Sequence, residues 1–457
     1  MSAPVKAGER YKILIEDIGT GGEGIGHIDG FAVFVPKAII GDITVIEIDK
    51  VNKKYAVGHM LSIVQPSPHR IKPPCPVSGQ CGGCQIQAMA YAAQLVYKKK
   101  RVEASLLHIG KLNDVPVLDT LGMDEPWHYR NKAQLPIGIA DNRPIIGFYA
   151  AGTHEIIDTD SCLIQHPIVD SVIKATKYYV AKYKIPVYDE KNGMGLIRNV
   201  MVRTGFSSGQ VMVVPVINGD ALPYADQYIN TLQQNVNGLS TVVLSINKQR
   251  TNVILGSECK TLFGSGHIID TLCGLEFKIS PLSFFQVNPR QAEVLYNKAI
   301  EYAGLSGSQT VLDAYCGVGT ISLIASKAAA KVYGIEEIPA AINDAKENAL
   351  LNGIDNTEFI CAKAEDAIER FTDAKARIDV AIVDPPRKGC DKRFLEALTN
   401  LSPERIVYVS CDPATLARDL SFLAQNGYKV QVAQPVDMFP HTVHVETVVL
   451  MSRKDTE

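Results

Sequence analysis

The pattern of hydrophobic and polar positions divides the chain into three regions. Residues 8–64 alternate short apolar runs with glycine-rich turns, which predicts about five short strands closed into a small barrel. From 75 to 285, strand-like runs mix with a helix from Ala88 to Ile109, which predicts an α+β region. From about 287, apolar β-branched runs alternate with helical segments. This alternation predicts a parallel sheet covered on both faces, and its last two strands follow each other as an antiparallel pair.

Length and composition agree with several folded domains. A chain of 457 residues exceeds one ordinary core, and its 46% hydrophobic and 21% charged residues are typical of globular proteins. We predict a β-barrel at 1–68, a central α+β domain at 69–285 and an α/β domain at 286–457. Neither an export signal nor a membrane span is visible in the sequence. We therefore expect a cytoplasmic monomer with reduced cysteines and no membrane partner.

The charge is near neutral overall but uneven along the chain. The sequence has 46 Lys and Arg against 49 Asp and Glu, a net charge of -3. Residues 286–457 have 18 basic and 24 acidic residues, a net of -6, so the rest of the chain has a net of +3. A polyanionic partner would therefore contact the N-terminal part of the chain, residues 1–285. Arg130 and Lys132 are candidate contacts there, although an ordinary solvated face explains them equally well.

One glycine-rich turn has the features of a nucleotide-type cofactor site. In DAYCGVGT, Gly317 and Gly319 follow a strand and precede a helix, and Glu336 ends the next strand, 19 positions after Gly317. Glycines let a ligand approach the backbone, and an acidic residue at that distance can bind ribose hydroxyls. Ser322 stands where a dinucleotide site has its third glycine, which favours S-adenosylmethionine over NAD. The purely structural alternative is a tight turn with a glycine cap.

Three further polar residues interrupt apolar strands or follow them in the same region. Asp384 in IVDPPRKG follows one strand, and Cys411 follows another just before a helix, where the helix dipole favours a thiolate. Glu446 lies within an otherwise apolar strand. A thiolate can add to an electrophilic carbon, and a buried carboxylate with a raised pKa can act as a general base. The ordinary alternatives are a surface aspartate, a small buried thiol and an outward-facing glutamate.

Four other cysteines form the pattern of a metal site. Cys75, Cys81 and Cys84 have the spacing C-x5-C-x2-C, and Cys162 follows after 77 intervening residues. Four thiolates suit structural zinc or an iron–sulfur cluster, and the spacing alone does not separate the two. Unrelated thiols are the remaining alternative.

Together these motifs resemble the RNA uracil-5 methyltransferase family. The segment SCDPATLARDL and the segment SFFQVN, with Gln286, are similar to those of the whole family. The cysteine spacing resembles that of the bacterial 23S ribosomal RNA enzymes with an N-terminal TRAM domain and a [4Fe–4S] cluster. The resemblance covers essentially the whole chain. It implies an OB-like TRAM barrel, a central domain with the cluster, and a Rossmann-like class I methyltransferase domain.

The resemblance also implies a role for each candidate residue. Cys411 would add to carbon 6 of uracil, and Glu446 would remove the carbon 5 proton after methyl transfer. The four cysteines of the C-x5-C-x2-C pattern would hold the cluster in a structural role. S-adenosylmethionine would be bound by Gln286, Tyr315, Gly317, Glu336 and Asp384, the last of which would alternatively bind the pyrimidine edge. The target uridine in 23S ribosomal RNA would have to leave its stack to reach the site.

Three alternatives to a ribosomal RNA enzyme stay open at this point. The same chemistry on transfer RNA is one, and a non-catalytic iron–sulfur RNA-binding protein is another. The third is an amino-group methyltransferase that uses the Asp-Pro-Pro loop and needs no cysteine. A binding module has no use for Cys411, Glu446 and an intact cofactor loop together, so the sequence favours an enzyme.

Overall fold

A computed structural model describes residues 3–374 and 376–454. The chain forms two compact units. The first contains residues up to 98 together with 148–157 and 439–444, and the second contains 99–147, 158–438 and the residues from 445 onward. Within the described ranges, no helix is long and apolar enough to cross a membrane.

The first unit contains a six-stranded sheet with the order β1-β5-β6-β4-β3-β2. Its strands are β1 (Arg10–Leu14), β2 (Asp17–Ile18), β3 (Gly24–Ile28), β4 (Phe31–Val35), β5 (Ile43–Val51) and β6 (Tyr55–Gln65). Neighbours run antiparallel except β4 and β6. Side chains alternate between buried and more exposed along β5, with Ile46 and Ile48 in a core that also contains Val33 and Val35. This alternation is the reason that one face of the sheet can pack while the other meets solvent.

The strand count of this sheet differs from the prediction in two places. The glycine-rich turn contains a strand, β3, because Gly26 lies against the backbone of β1, where an added Cβ would come within 2.3 Å of the Leu14 carbonyl oxygen. Residues 42–64 were expected from the sequence to give three of the five strands, but they form only β5 and β6. Register shifts at three points bend this one long pair, so the breaks in its hydrophobic pattern mark bulges and not turns.

The second sheet has seven strands in the order β13-β12-β11-β10-β7-β8-β9. The elements of this region, in chain order, are α1 (Tyr91–His108), β7 (Lys132–Ala140), β8 (Arg143–Tyr149), β9 (Ile156–Asp158), α2 (Ile168–Lys182), β10 (Ile197–Thr204), β11 (Val211–Ile217), α3 (Ala225–Asn235), β12 (Leu239–Ile246) and β13 (Glu258–Gly264). Helix α1 confirms the helix predicted from Ala88 to Ile109. Strands β10 and β11 are buried along their whole length, and α2 and α3 pack on each other and on β10 and β12.

The C-terminal sheet also has seven strands, in the order β18-β17-β16-β19-β20-β22-β21. A hairpin and a helix precede it: β14 (Ile268–Leu272), β15 (Leu275–Ile279) and α4 (Pro289–Ala303). Its elements are β16 (Thr310–Ala314), α5 (Thr320–Ser326), β17 (Lys331–Glu336), α6 (Pro339–Leu351), β18 (Thr357–Cys361), α7 (Ala364–Asp373), β19 (Val380–Val383), α8 (Lys392–Leu401), β20 (Arg405–Ser410), α9 (Pro413–Gln425), β21 (Tyr428–Val436) and β22 (Glu446–Arg453).

This sheet confirms the predicted parallel architecture and its terminal antiparallel pair. The five strands β18, β17, β16, β19 and β20 are mutually parallel, and β22 runs antiparallel between β20 and β21. Since the carboxyl ends of parallel strands share one edge, the loops after β16, β17, β19 and β20 meet there. The antiparallel β22 begins at the same edge, which is how its first residue reaches those loops.

Candidate active site

The strand register places two candidate residues opposite each other. Ser410, the last residue of β20, pairs with Thr447 of β22 in an antiparallel ladder. Continued by one residue, this register sets Cys411 opposite Glu446, and the effect of the Glu446 charge on the Cys411 thiol agrees with this placement. Residues directly opposite in such a ladder have their side chains on the same face, so the thiol and the carboxyl group lie together.

Glu446 is a buried carboxylic acid. Only 5% of its surface is exposed, which rules out the outward-facing glutamate that its strand position had left open. Burial raises its pKa to about 8, the negative charge of Asp384 adds to the rise, and the positive charge of Arg387 opposes it. A carboxyl group with a pKa in this range can take up and release a proton near neutral pH.

The position of Cys411 before a helix favours a thiolate, but the groups around it favour the neutral thiol. Burial, followed by the charges of Glu446 and Asp384, raises the pKa of the thiol to about 11, although Arg387 opposes the rise. The first turn of α9 is capped by Asp412, whose carboxylate accepts hydrogen bonds from the second and third N–H groups of the helix at 3.0 and 2.9 Å. The helix terminus is thus already satisfied by a carboxylate.

Asp384 is the third member of a group at the sheet edge. The group consists of the Cys411 thiol and the carboxyl groups of Glu446 and Asp384. It follows β19, and its N–H donates to the Ala314 carbonyl oxygen at 3.4 Å, so it lies between β16 and the Cys411 loop. Part of its surface is open to solvent, yet burial by the surrounding protein raises its pKa to about 7. The charge of Asp384 raises the pKa of Cys411 and of Glu446, which means that all three groups interact.

The loop after β19 is fastened to helix α9 by a buried carboxylate. Asp419 accepts hydrogen bonds from the Cys390 N–H at 2.8 Å and the Tyr408 hydroxyl at 2.7 Å, and its second oxygen accepts from the Arg418 guanidinium at 2.7 Å. Arg418 also donates to the Lys388 carbonyl oxygen at 3.0 Å. These bonds fix the loop that carries Asp384 relative to the helix that follows Cys411.

The glycine-rich turn leaves open space beside its backbone. Gly317 has φ +55°, and an added Cβ would meet no atom within 4 Å, so a ligand can lie directly against the main chain. Glu336 stabilises the turn, since its carboxylate accepts hydrogen bonds from the Gly317 N–H at 3.3 Å and the Ile338 N–H at 2.9 Å. The turn and the predicted ribose-binding acid therefore lie together, as expected from their spacing.

The acidic groups beside this turn fit a positively charged ligand such as S-adenosylmethionine. Asp313 is fully buried; one carboxyl oxygen accepts from the Ser322 hydroxyl at 2.5 Å, and Oδ1 has no hydrogen-bond partner. Burial raises its pKa to about 7, Ser322 opposes the rise, and the charges of Asp384 and Glu336 add to it. The sulfonium and ammonium groups of S-adenosylmethionine would place positive charge near this carboxyl group and so stabilise its ionised form.

Gln286 lies in a segment held by the central sheet. The Asn131 amide donates to the Gln286 carbonyl oxygen at 2.9 Å, and the Asn131 N–H donates to the Val287 carbonyl oxygen at 2.8 Å. Buried Arg203 donates to the carbonyl oxygens of Pro281, at 3.4 Å, and of Ser283. The predicted cofactor segment therefore depends on residues of β10 and of the loop before β7.

Tyr315 takes up a less usual backbone conformation, with φ +68°. Its ring packs against Phe394 of α8 with centroids 5.5 Å apart, and burial raises the pKa of its hydroxyl far above the usual range. Left-handed backbone at a bulky residue is uncommon and concentrates at functional sites. The turn after β16 is the place where sequence reasoning expects the cofactor.

The three buried carboxyl groups make the stability of the fold depend on pH. Unfolded carboxyl groups release their protons near pH 4, whereas Glu446 releases its proton only near pH 8. Between these values the folded state binds more protons than the unfolded state, so the free energy of unfolding falls as pH rises.

We expect Glu446→Gln to stabilise the protein at pH 8 by about 1–3 kcal/mol, because glutamine does not have to be kept neutral. The gain should shrink to about 0.4 kcal/mol near pH 4.5, where the unfolded carboxyl group is about half protonated and the folded one is protonated. Urea unfolding of wild type and variant at both pH values measures this difference. An equal difference at the two pH values would contradict the expectation.

The four predicted metal-ligating cysteines are divided between the two units. Cys75, Cys81 and Cys84 belong to the first unit and Cys162 to the second. The Gly83 N–H donates to the Cys81 sulfur at 3.4 Å, and Cys75 contributes to the raised pKa of Cys81 after burial. Among the residues that the structure describes, no group of three or more His, Cys, Asp or Glu side chains is positioned to hold a metal ion.

The two basic residues proposed for RNA contact lie near the cofactor segment. Lys132 starts β7 and is half-buried; burial, then the charges of Arg203 and Arg130, lowers its pKa to about 8. Arg130 is also half-buried, and its N–H donates to the Ile164 carbonyl oxygen at 2.9 Å. Neither residue lies on a fully solvated face.

Sequence reasoning gave no role to several residues of this site. Asn131, Arg203 and Tyr296 act across long sequence separations, and Asp419, although it lies in SCDPATLARDL, received no role of its own. Tyr296 of α4 is buried beside the acidic groups; burial raises the pKa of its hydroxyl, the charge of Asp384 adds to the rise and a hydrogen bond with Gln286 opposes it. Arg387 was within reach of prediction, since it lies in the Asp-Pro-Pro loop.

Comparison with known proteins gives consistent results along the chain. The sequence family described as tRNA (Uracil-5-)-methyltransferase matches residues 273–454, and the TRAM domain family matches residues 4–61. An uncharacterized RNA methyltransferase of Clostridium tetani is 50% identical over 449 residues, which cover 98% of this chain and 97% of that protein. One from Caldanaerobacter subterraneus is 47% identical and covers 98% of this chain and 99% of its own length.

A solved structure is similar over nearly the same extent. It is the tRNA (uracil-54, C5)-methyltransferase of Pyrococcus abyssi in complex with S-adenosyl-L-homocysteine. The TM-score is 0.79 with 28% sequence identity, and the match covers 96% of this chain and 100% of that chain.

Proposed function

Because this chain belongs to the S-adenosylmethionine-dependent RNA uracil-5 methyltransferase family with an N-terminal TRAM domain, we propose that it methylates carbon 5 of a uridine in 23S ribosomal RNA. The observation that carries the proposal is the strand register that sets Cys411 opposite the buried acid Glu446. A nucleophile and a base on one face are what this reaction needs, and an amino-group methyltransferase needs neither.

The reaction requires activation of the uracil ring, because its carbon 5 is a poor nucleophile. Cys411 adds through its sulfur to carbon 6, and the electron pair of the ring double bond moves to the ring oxygen as an enolate. S-adenosylmethionine, when bound, would supply the methyl group to carbon 5, and the electron pair of its broken sulfur–methyl bond would remain on the sulfur of S-adenosylhomocysteine. Glu446 then takes the proton from carbon 5, the carbon 6–sulfur bond breaks, and the thiolate of Cys411 is regenerated.

The raised pKa values of the Cys411 thiol and of the carboxyl groups near it indicate how the first step of the reaction depends on the cofactor. A thiol with a pKa of about 11 adds poorly until the charges around it change. A cationic ligand beside Asp313 and Asp384 would counter the carboxylate charges and lower the pKa of the Cys411 thiol. Addition of the thiolate is then favoured once the cofactor is bound, and Arg387 already acts in this direction.

The remaining predicted residues would hold the cofactor. Gly317 gives it access to the backbone, Glu336 lies where ribose hydroxyls would be, and Gln286 and Tyr315 line the same loops. The target uridine must be flipped out of the RNA to enter such a site. We assign the contacts with the surrounding RNA to the TRAM domain at 1–68 and to the central domain at 69–285. We propose that the protein acts as a monomer in the cytoplasm.

The choice of 23S ribosomal RNA rests on the cysteine spacing, because the motif SCDPATLARDL is typical of the whole family and does not separate its substrates. Transfer RNA is the second candidate substrate, which the likeness to the Pyrococcus tRNA enzyme favours. Mapping 5-methyluridine in ribosomal and transfer RNA from cells that lack this gene, and then methylating each purified RNA in vitro, separates the two. Loss of the modification from transfer RNA alone would reassign the substrate, and loss from neither RNA would overturn the proposed activity.

We also propose that Cys75, Cys81, Cys84 and Cys162 hold a [4Fe–4S] cluster with a structural role. Their spacing supports it, and so does the N–H of Gly83 beside the Cys81 sulfur, since such hydrogen bonds stabilise thiolate ligands. The reaction needs no electron transfer, so the cluster would supply rigidity only.

We expect anaerobically purified protein to absorb at about 400 nm, as iron–sulfur clusters do. Cys81→Ser should remove most of this absorbance and lower the melting temperature. Cys361→Ser, which changes an exposed cysteine outside the set, is the matched control and should leave both unchanged. Colourless protein that contains stoichiometric zinc would assign the site to zinc instead.

A further inference from the structure

Helices α2 and α3 form a groove that the proposed reaction does not use. The helices pack through the stacked rings of Tyr179 and Tyr228, whose centroids are 4.4 Å apart. Their exposed edges enclose a groove with a volume of about 550 Å³, entirely within the second unit. None of the residues that line it belongs to the loops at the edge of the C-terminal sheet.

The charge of the groove favours an anion. Its lining includes Lys174 and Lys182 and no carboxylate. Lys177, on the same helix, is neutralised by ion pairs with Asp158 and Asp160 and does not line the groove. Lys174 also acts on Asp160 and Asp170, but neither carboxylate lines the groove. The two lysines of the lining therefore give it a local positive potential that would attract a phosphate backbone.

The groove also presents aromatic rings to solvent. Tyr178 is 51% exposed, and Tyr183 stacks on Tyr224, which is 55% exposed, with centroids 4.9 Å apart. Lys182 Nζ donates to the Tyr178 hydroxyl at 2.7 Å and lies 5.0 and 5.5 Å from the ring centroids of Tyr178 and Tyr183. Exposed rings fixed beside a cation are the platform on which unstacked bases bind.

The opposite wall supplies amide groups. Gln227, Asn230 and Gln234 line the groove from one face of α3, as their spacing of three and four residues requires. The Asn235 amide donates to the Thr231 carbonyl oxygen at 2.8 Å and is used within the helix. Side-chain amides at such positions can donate to and accept from base edges.

The groove is connected to the candidate active site through one helix. His166, two residues before α2, donates through its N–H to the Arg130 carbonyl oxygen at 3.1 Å, and the adjacent Asn131 holds the Gln286 segment. Lys174 and Lys182 then follow on α2 with Tyr178 midway between them. A spacing of four residues places these three side chains in a row, about 6 Å apart along the axis.

We propose that this groove binds a single-stranded segment of the same RNA whose uridine enters the candidate active site. The lysines contact phosphates, the tyrosines stack on bases and the α3 amides read base edges. This inference rests on the proposed function for the identity of the RNA, and it adds a second contact that would contribute to RNA affinity and to the choice of substrate.

The test compares Lys174→Glu/Lys182→Glu, and separately Tyr178→Ala, with wild type in methylation of a long RNA at several salt concentrations. We expect KM for the long RNA to rise about tenfold in the lysine variant with kcat and S-adenosylmethionine affinity unchanged. The slope of log KM against log salt concentration should become smaller, by the amount that corresponds to the loss of about two phosphate contacts. Lys191→Glu/Lys260→Glu changes two exposed lysines outside the groove by the same charge and is the control.

The outcomes separate this inference from the proposed function. Wild-type KM and salt dependence in the groove variants, or an equal loss in the control, would overturn the groove site. If wild type methylates no RNA, the proposed function fails, and binding of the same RNA measured by filter retention still decides the groove. Tyr178→Ala also removes the hydroxyl to which Lys182 donates, so Tyr178→Phe, which keeps the ring, is measured beside it. Reduced binding by folded Tyr178→Ala but not by Tyr178→Phe supports base stacking even where the double variant is unstable.

Discussion

Cys411→Ala is expected to abolish methyl transfer, with a fall in kcat of at least about 10⁴-fold. The physical reason is that no other described nucleophile faces Glu446 in the strand register, and without addition at carbon 6 the ring stays unreactive. S-adenosylmethionine binding should be unchanged, because the sulfur contacts the base. Transfer of methyl from radiolabelled cofactor to RNA in single-turnover reactions measures the loss.

The control for this prediction is Cys390→Ala. Cys390 is also buried, but its sulfur lies 3.5 Å from the Tyr408 hydroxyl and contacts the Tyr315 hydroxyl, so it is not paired with Glu446. We expect that variant to keep most of its activity. Normal turnover by Cys411→Ala would rule out the covalent mechanism and leave the amino-group alternative, which needs no cysteine.

A covalent protein–RNA adduct is expected to accumulate when Glu446 is replaced by glutamine. Addition of Cys411 and methyl transfer precede the removal of the carbon 5 proton, so loss of the base stops the reaction after the carbon–sulfur bond has formed. Glutamine keeps the size and hydrogen bonding of the side chain but accepts no proton. Denaturing gel electrophoresis with labelled RNA should show a slowly migrating band whose RNA already contains the methyl group.

The same step gives the wild type a pH dependence. Glu446 must be ionised to take the proton, and its pKa of about 8 leaves a minor fraction ionised at neutral pH. The rate of adduct breakdown should therefore rise with pH and level off above pH 8. Bound RNA without an adduct in Glu446→Gln, while Cys411→Ala remains inactive, would show that Glu446 acts before addition and would assign it a different role.

The two predictions are independent of the choice of RNA. They test the chemistry of the site, whereas the mapping of 5-methyluridine tests the substrate. A chain that forms the adduct on transfer RNA and not on ribosomal RNA would keep both predictions and change only the identity of the target.

Much of the C-terminal fold could be predicted because local patterns determine it. Buried β-branched strands alternating with helices admit few arrangements other than a covered parallel sheet, and the glycine turn and Glu336 are related by a spacing that one βαβ unit fixes. The N-terminal sheet was predicted less well. Bulges in the long β5–β6 pair look like turns in a hydrophobic pattern, and Gly26 serves close strand packing instead of a turn.

The sequence by itself determined the residue types of the site and the family to which the chain belongs, since Cys411, Glu446, Asp384 and the glycine turn are each written in a short motif. Only the tertiary structure decided how those residues affect one another. Glu446 had an outward-facing alternative until the strand register set it, buried, opposite Cys411. The helix dipole predicted a thiolate at Cys411, but burial and two neighbouring carboxyl groups from distant strands raise its pKa instead. Desolvation and charge coupling depend on distances between residues far apart in sequence, and local patterns do not contain those distances.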